Sequence, residues 1–206
     1  MSQCMNRRYS IDPRHWRFGI VWLVAIVFMM HGAVGAHAQN ADDQKLVEAL
    51  KQGEAFAIMR HAQAPGTGDP SNFKLDDCTT QRNLSQEGRD QARQLGARLK
   101  SAGIASAKVY TSAWCRVSET AELLGLGPVE KLKHLNSFIR DDDGGQQHIK
   151  EFDVWLKAVP LSPPLILVTH QVNLTALTGA MPRSSEMFIV KRKSDGSFEV
   201  LGALSM

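Results

Sequence analysis

Two histidines and two arginines stand where a sheet protein commonly does its chemistry. Arg60 and His61 directly follow a short apolar run, His170 follows a second such run, and Arg116 comes soon after a third. An arginine presents a planar fork of donors that matches phosphate oxygens. A neutral histidine can attack phosphorus or carry a proton. Together these residue types favour a phosphate ligand that is transferred through a histidine nucleophile.

The apolar runs before these residues predict the strands that position them. Each run is short, which is typical of a buried strand bounded by turn residues. The predicted strands are Ala55–Arg60, Lys108–Thr111 and Leu165–Thr169. The last run is apolar throughout, as expected for a central parallel strand covered on both faces. Because the carboxyl ends of parallel strands share one edge of a sheet, we expect the histidines and arginines to converge there.

The remaining pattern alternates helices with these strands and predicts an α/β fold with a mostly parallel sheet. Ser85 is expected to cap a helix in which Ala92, Leu95 and Leu99 share one face, with Gly96 at a close packing contact. The other predicted elements are a helix or linker over 39–50, helices over 116–124, 147–159 and 172–178, an edge strand over 130–135, and a closing hairpin of 188–191 with 198–201. The helix over 147–159 is expected to bury Ile149, Phe152, Trp155, Leu156 and Val159.

The first 38 residues have the pattern of a secretory signal peptide. Four arginines precede an apolar run that begins at Phe18, and an A-x-A site ends at Ala38. The predicted mature domain is therefore 39–206, and the predicted location is the periplasm or the exterior. The alternative is an uncleaved anchor over 18–35, which would be the only membrane attachment.

Removing residues 1–38 makes the chain nearly neutral. The segment holds four of the 24 Lys and Arg residues and one of the 21 Asp and Glu residues, which leaves 20 of each. The basic footprint expected of a nucleic-acid-binding protein is therefore missing. Cys78 and Cys115 remain in the mature chain, and an oxidising compartment favours a disulfide between them, the alternative being two buried thiols.

Four stretches in order resemble the histidine phosphatase superfamily, which includes the cofactor-dependent phosphoglycerate mutases. They are IMRHA at 58–62, NLSQEGRDQA at 83–92, VYTSAWCRVSETA at 109–121 and LVTH at 167–170. The resemblance implies a phosphoglycerate mutase-like three-layer α/β/α sandwich. It also implies that His61 attacks phosphorus while Arg60, Arg116 and His170 hold the phosphoryl group, with neither a metal nor a cofactor.

The resemblance leaves the substrate and the general acid open. Gln63 and Asp69 are further candidates for substrate binding, and a small-molecule or glycan phosphomonoester is the expected substrate. In its predicted export and its small size, the chain is also loosely similar to the periplasmic lipopolysaccharide core heptose-phosphate phosphatases. Ser137 stands where the mutase-like members carry a glutamate acid, so the candidates for that role are water, Asp69 and the run Asp141–Asp143.

Two alternative functions follow from the same residues. The lack of the glutamate acid suggests a protein of the same fold that binds phosphate or a phosphosugar with little or no turnover. A metallohydrolase using His61, His170 and aspartates is disfavoured, because no H-x-H or H-x-x-x-H spacing occurs and the neighbouring arginines would repel a cation. His134 and His148 are expected to be packed or surface residues, and Glu186 structural or solvent-facing.

Overall fold

The structure is a computed structural model, and it describes residues 42–139 and 145–204. The predicted signal peptide and Asp141–Asp143 lie outside these residues. The strands are β1 Ala55–Arg60, β2 Lys108–Thr111, β3 Val129–Lys131, β4 Leu165–Thr169, β5 Met187–Arg192 and β6 Phe198–Leu204. The helices are α1 at 42–51, α2 Gln86–Ser101, α3 Cys115–Leu124, α4 Gln146–Ala158 and α5 Gln171–Thr178, with short 3-10 turns at Cys78–Thr80 and Lys133–Leu135.

The six strands form one sheet in the order β3-β2-β4-β1-β5-β6. The pairs β3–β2, β2–β4 and β4–β1 are parallel, whereas β5 and β6 continue the sheet as an antiparallel hairpin. The predicted mostly parallel sheet and closing hairpin are thus confirmed. The most apolar strand, β4, lies between β1 and β2, so the ends that carry the candidate residues are direct neighbours.

Helices cover both faces of the sheet, which gives the three layers. Along β1, Ala55, Ala57 and Met59 face one apolar cluster with helices α1 to α3, and Phe56 and Ile58 face a second with α4 and α5. This alternation follows from the two-residue period of a strand. All five residues are fully buried, which accounts for the continuous apolar run in the sequence.

Helix α2 has the capping residue and the close glycine contact that the sequence predicts. The Ser85 hydroxyl accepts a hydrogen bond from the Gly88 amide at 3.0 Å, which satisfies one of the free amides of the first turn. Gly96 lies against α3 so closely that a Cβ would stand 2.1 Å from the Leu124 carbonyl oxygen. The predicted capping residue and close packing contact are both confirmed.

Two local predictions are corrected. The edge strand predicted over 130–135 is shorter, because β3 ends at Lys131 and a 3-10 turn follows at Lys133–Leu135. Ile149 was expected on the buried side of α4 but is 37% exposed, since the first turn of that helix borders a cavity rather than the core. Within 42–139 and 145–204, no helix is both long and apolar enough to cross a membrane.

Candidate active site

The ends of β1, β4 and β2 lie side by side and open into one cavity. The His61 amide donates to the Thr169 carbonyl at 3.0 Å, and the Ser112 amide donates to the Val168 carbonyl at 3.3 Å. The cavity has a volume of about 440 Å³. Its charged and imidazole side chains are Arg60, His61, Asp69, Arg82, Arg116 and His170, and its rim includes Phe73, Trp114, Ser137 and Ile139.

His61 is oriented as a nucleophile requires. Its Nδ1 donates to the Ala62 carbonyl at 2.8 Å, so the lone pair of the neutral ring is on Nε2. Nε2 in turn accepts a hydrogen bond from Arg116 Nε at 3.3 Å. The pKa of His61 is lowered to about 3, mainly by burial and also by the charges of Arg116 and Arg60, against the opposing effect of the bond to Ala62. The imidazole is therefore neutral at physiological pH.

His170 lies across from His61 and is held by a hydroxyl. The two ring centroids are 5.8 Å apart, and His170 Nε2 is 2.9 Å from Ser112 Oγ. Asn136 Oδ1 holds Ser112 in place, because it accepts hydrogen bonds from the Ser112 hydroxyl at 3.2 Å and the Ala113 amide at 2.9 Å. Burial, with the charges of the neighbouring residues, lowers the pKa of His170 well below its usual value.

Asp69 holds Arg116 in a buried ion pair. Its two oxygens accept from Arg116 Nη1 at 2.7 Å and Nη2 at 3.4 Å, and also from Trp114 Nε1 and the Arg82 amide at 3.1 Å each. Burial raises the pKa of Asp69, but the Arg82 amide and the Arg116 charge outweigh it, and the pKa is lowered. Asp69 is thus ionised and paired, which disfavours it as the general acid and leaves the Nε edge of Arg116 directed at His61.

Of the other predicted site residues, some line the cavity and one does not. Arg60 lines it, with Nη1 donating to the Pro182 carbonyl at 3.1 Å. Gln63 does not line it, because its Oε1 accepts from the Ser85 hydroxyl at 2.5 Å at the start of α2. Ser137 does line it, so this part of the cavity carries a hydroxyl.

Arg82 is a cavity residue that the sequence reasoning missed. Its Nε donates to the Gly68 carbonyl at 2.8 Å and its Nη1 donates to the Ala64 carbonyl, which folds the long loop at 64–82 over the site. Arg82 is the last residue of this loop and directly precedes the second of the four motifs. Three guanidinium groups and one carboxylate give the described part of the cavity a charge of +2. Such a charge complements a phosphate dianion.

The predicted disulfide between Cys78 and Cys115 is confirmed. Their Cα atoms are 5.7 Å apart, and the bridge joins the long loop to the first residue of α3, next to Arg116. The Gln81 side chain reinforces the junction, because its Oε1 accepts from the Cys115 amide at 2.9 Å. The loop that carries Asp69 and the helix that carries Arg116 are therefore covalently tied.

Comparison with known proteins identifies the fold. The match to the structure of the protein histidine phosphatase SixA complexed with tungstate covers 73% of this chain and 96% of that one, at 19% identity and a TM-score of 0.55. The match to a putative alpha-ribazole-5'-P phosphatase from Escherichia coli K-12 covers 74% of this chain and 96% of that one, at 16% identity and a TM-score of 0.55. The match to a mycobacterial glucosyl-3-phosphoglycerate phosphatase with VO3 covers 71% of this chain and 96% of that one, at 16% identity and a TM-score of 0.52.

No curated protein matches the sequence of this chain. The family model for the histidine phosphatase superfamily (branch 1) matches residues 56–159, which is half of the chain. That range contains Arg60 and His61 at the end of β1, and Arg116 in α3. These residues stand at the cavity that the sequence motifs predict. The chain belongs to the histidine phosphatase superfamily, branch 1.

Proposed function

We propose that this chain is an exported, metal-independent phosphatase that hydrolyses a phosphomonoester through a phosphohistidine on His61. The observation that carries the proposal is the state of His61, a buried neutral imidazole whose Nε2 lone pair faces a cavity of charge +2. A neutral ring beside guanidinium groups is what attack on a phosphate dianion requires. Arg60, Arg116 and His170 bind the phosphoryl group in this proposal.

The reaction has two steps. His61 Nε2 forms a bond to phosphorus while the bond from phosphorus to the ester oxygen breaks, and the departing alkoxide takes up a proton. Water then attacks the phosphorus of the phosphohistidine, the N–P bond breaks, and inorganic phosphate and a proton leave. The guanidinium groups stabilise the charge that develops on the phosphoryl oxygens in both steps, and the loss of one such donor costs about 10²–10³ in kcat.

The substrate class and the location rest on further observations. The structural neighbours are described as acting on protein phosphohistidine, alpha-ribazole 5'-phosphate and glucosyl-3-phosphoglycerate. We infer a small-molecule or glycan phosphomonoester for this chain, because a cavity of about 440 Å³ accommodates a phosphate with one sugar-sized group. The Cys78–Cys115 disulfide supports export, as such bridges persist in oxidising compartments.

A second candidate function is phosphate or phosphosugar binding with little or no turnover. Ser137 favours it, because a hydroxyl cannot protonate a departing alkoxide as a carboxylic acid can. Among the described residues, Asp69 is the only carboxylate that lines the cavity, and it is committed to Arg116. Turnover distinguishes the two functions, since phosphate binding is expected of both.

The test measures hydrolysis of p-nitrophenyl phosphate and a panel of sugar phosphates by the purified protein in the presence of EDTA. We expect turnover that EDTA leaves unchanged and that His61→Asn abolishes, while His134→Asn, a matched change outside the cavity, retains it. Phosphate binding without turnover of any substrate would overturn the enzyme and leave the binding protein. Loss of turnover in EDTA would overturn the metal-independent mechanism.

A further inference from the structure

The catalytic cavity also has large apolar residues in its wall, which phosphate binding does not account for. They are Phe73, Trp114, Ile139 and Val172. In the proposed function the charged side chains of the same cavity bind the phosphoryl group, so the apolar residues are left for the organic part of the substrate. Ile139 is 73% exposed and therefore has apolar surface that a ligand can cover.

The aromatic residues of this wall belong to a row of rings that ends at the nucleophile. Phe73 stacks on Trp114, with ring centroids 5.5 Å apart and an angle of 21° between the planes. Trp114 meets His170 edge to face at 5.1 Å, and His170 meets His61 in the same manner at 5.8 Å. Trp114 is fixed in this row, because its Nε1 donates to Asp69 at 3.1 Å. An aromatic group attached to a phosphoryl group at His61 can therefore pack against rings that are already held in place.

The polar residues of the cavity favour the same kind of leaving group. Among the described residues, Asp69 is the only carboxylate in the lining, and its ion pair with Arg116 disfavours it as a proton donor. Ser137 supplies a hydroxyl, which is a poor acid. A phenol has a pKa of about 10, so a phenolate departs with little protonation, whereas an alkoxide depends on an acid.

We propose that the substrate of this site is an aryl phosphate, a phosphomonoester of a phenol whose ring packs against Phe73, Trp114 and Ile139. This rests on the proposed function and narrows its class of small-molecule or glycan phosphomonoesters to phenol esters. His61 Nε2 forms the bond to phosphorus, and the bond from phosphorus to the phenolic oxygen breaks. The electron pair of that bond stays on the phenolate, which takes up a proton from water. Phe73 and Ile139 are thus specificity-determining residues that contact the leaving group.

The first test measures binding without turnover, by calorimetry on the purified protein. Benzylphosphonate and ethylphosphonate both carry a CH₂ group in place of the ester oxygen and cannot be hydrolysed as esters, but only benzylphosphonate has a ring. We expect benzylphosphonate to bind about tenfold more tightly, which corresponds to about 1.4 kcal/mol. Equal affinities would overturn the aryl site and leave the phosphate site intact. If neither compound bound and inorganic phosphate did not bind either, the proposed function would be overturned as well.

Two substitutions locate the ring. Phe73→Ala and Ile139→Ser are each expected to reduce the preference for benzylphosphonate over ethylphosphonate about threefold, the size of one aromatic or apolar contact. Val154→Ser is the matched control, because Val154 is 68% exposed on α4 and does not line the cavity; it should leave the preference unchanged. A preference that survives in both Phe73→Ala and Ile139→Ser would overturn the proposed location. The wild-type comparison of the two phosphonates decides the matter if these variants do not fold.

The second test measures the leaving-group preference in turnover. We expect kcat/KM for phenyl phosphate to exceed that for glucose 6-phosphate by at least about 100-fold, since general acid catalysis is worth about 10²–10⁴ to an alkyl ester. A higher kcat/KM for the sugar phosphate would overturn the aryl class while supporting the phosphatase. Absence of turnover with both esters would overturn the phosphatase, and the phosphonate preference would then still decide which ligand the cavity binds.

Discussion

Asp69→Asn tests whether Asp69 positions Arg116 or protonates the leaving group. The substitution keeps the size of the side chain but removes the charge that pairs with a guanidinium group only 5% exposed. It also replaces one acceptor oxygen by an NH₂ group. That group then faces two donors, either Arg116 and the Arg82 amide or Arg116 and Trp114. Breaking one partner of a buried ion pair costs on the order of 3 kcal/mol of unfolding free energy. A displacement of Arg116 by about 1 Å costs up to roughly 10²-fold in rate.

The assay compares two classes of ester. An aryl phosphate leaves as a stabilised phenolate and needs little protonation, whereas an alkyl phosphate leaves as an alkoxide and depends on an acid. If Asp69 positions Arg116, Asp69→Asn reduces kcat/KM for both esters by the same factor, about 10- to 100-fold. If Asp69 is the general acid, only the alkyl phosphate is affected. Unchanged hydrolysis of the aryl phosphate would therefore refute the positioning role.

Two controls accompany this measurement. In an Arg116→Ala background, Asp69→Asn is expected to cause little further loss, because the two residues act as one unit. Asp90→Asn breaks an ion pair to Arg93 in which both side chains are about half exposed, so its effect on stability should stay below about 1 kcal/mol. A comparable loss of activity in Asp90→Asn would mean that the Asp69 result is not specific to the cavity.

Three further predictions follow from the same contacts. Ser112→Ala is expected to reduce kcat about tenfold by releasing His170, with partial rescue by Ser112→Thr; equal activity of all three proteins would exclude a positioning role. Because the folded-state pKa of His61 is about 3 and its ordinary value 6.5, the unfolded chain takes up the proton first, so the unfolding free energy falls as the pH drops from 6.5 toward 3; urea titrations should show a smaller fall in His61→Gln. Replacing Cys78 and Cys115 by serine should lower the unfolding free energy by about 2–4 kcal/mol in the same titrations, since the bridge closes a separation of 37 residues; an unchanged midpoint would contradict this.

The sequence predicted the elements and the edge where the site forms, because both depend on short-range patterns. A continuous apolar run such as Leu165–Thr169 is typical of a strand buried on both faces, and in a parallel sheet this places His170 at the same edge as His61. The cap at Ser85 and the contact at Gly96 were likewise predictable from local residue type.

The sequence did not predict which partners the polar loop residues choose. Asp69 and Arg82 lie in one long loop, whose path is set by bonds to Arg116, Trp114 and backbone carbonyls that are distant in the chain. The local sequence around a carboxylate in such a loop is the same whether the carboxylate is free or paired, so the direction of its pKa shift could not be inferred. The role of Gln63 as a helix contact depends in the same way on the position of Ser85.

The central claim is a covalent phosphohistidine on His61, and trapping that intermediate tests it most directly. The purified protein is mixed with a radiolabelled aryl phosphate, quenched in alkali during turnover, and mapped by peptide mass spectrometry, with His61→Asn and His134→Asn alongside. We expect an acid-labile phosphoryl group on the peptide that contains His61, present in His134→Asn and absent in His61→Asn. Turnover that continues in His61→Asn, or a label on any other residue, would contradict the account.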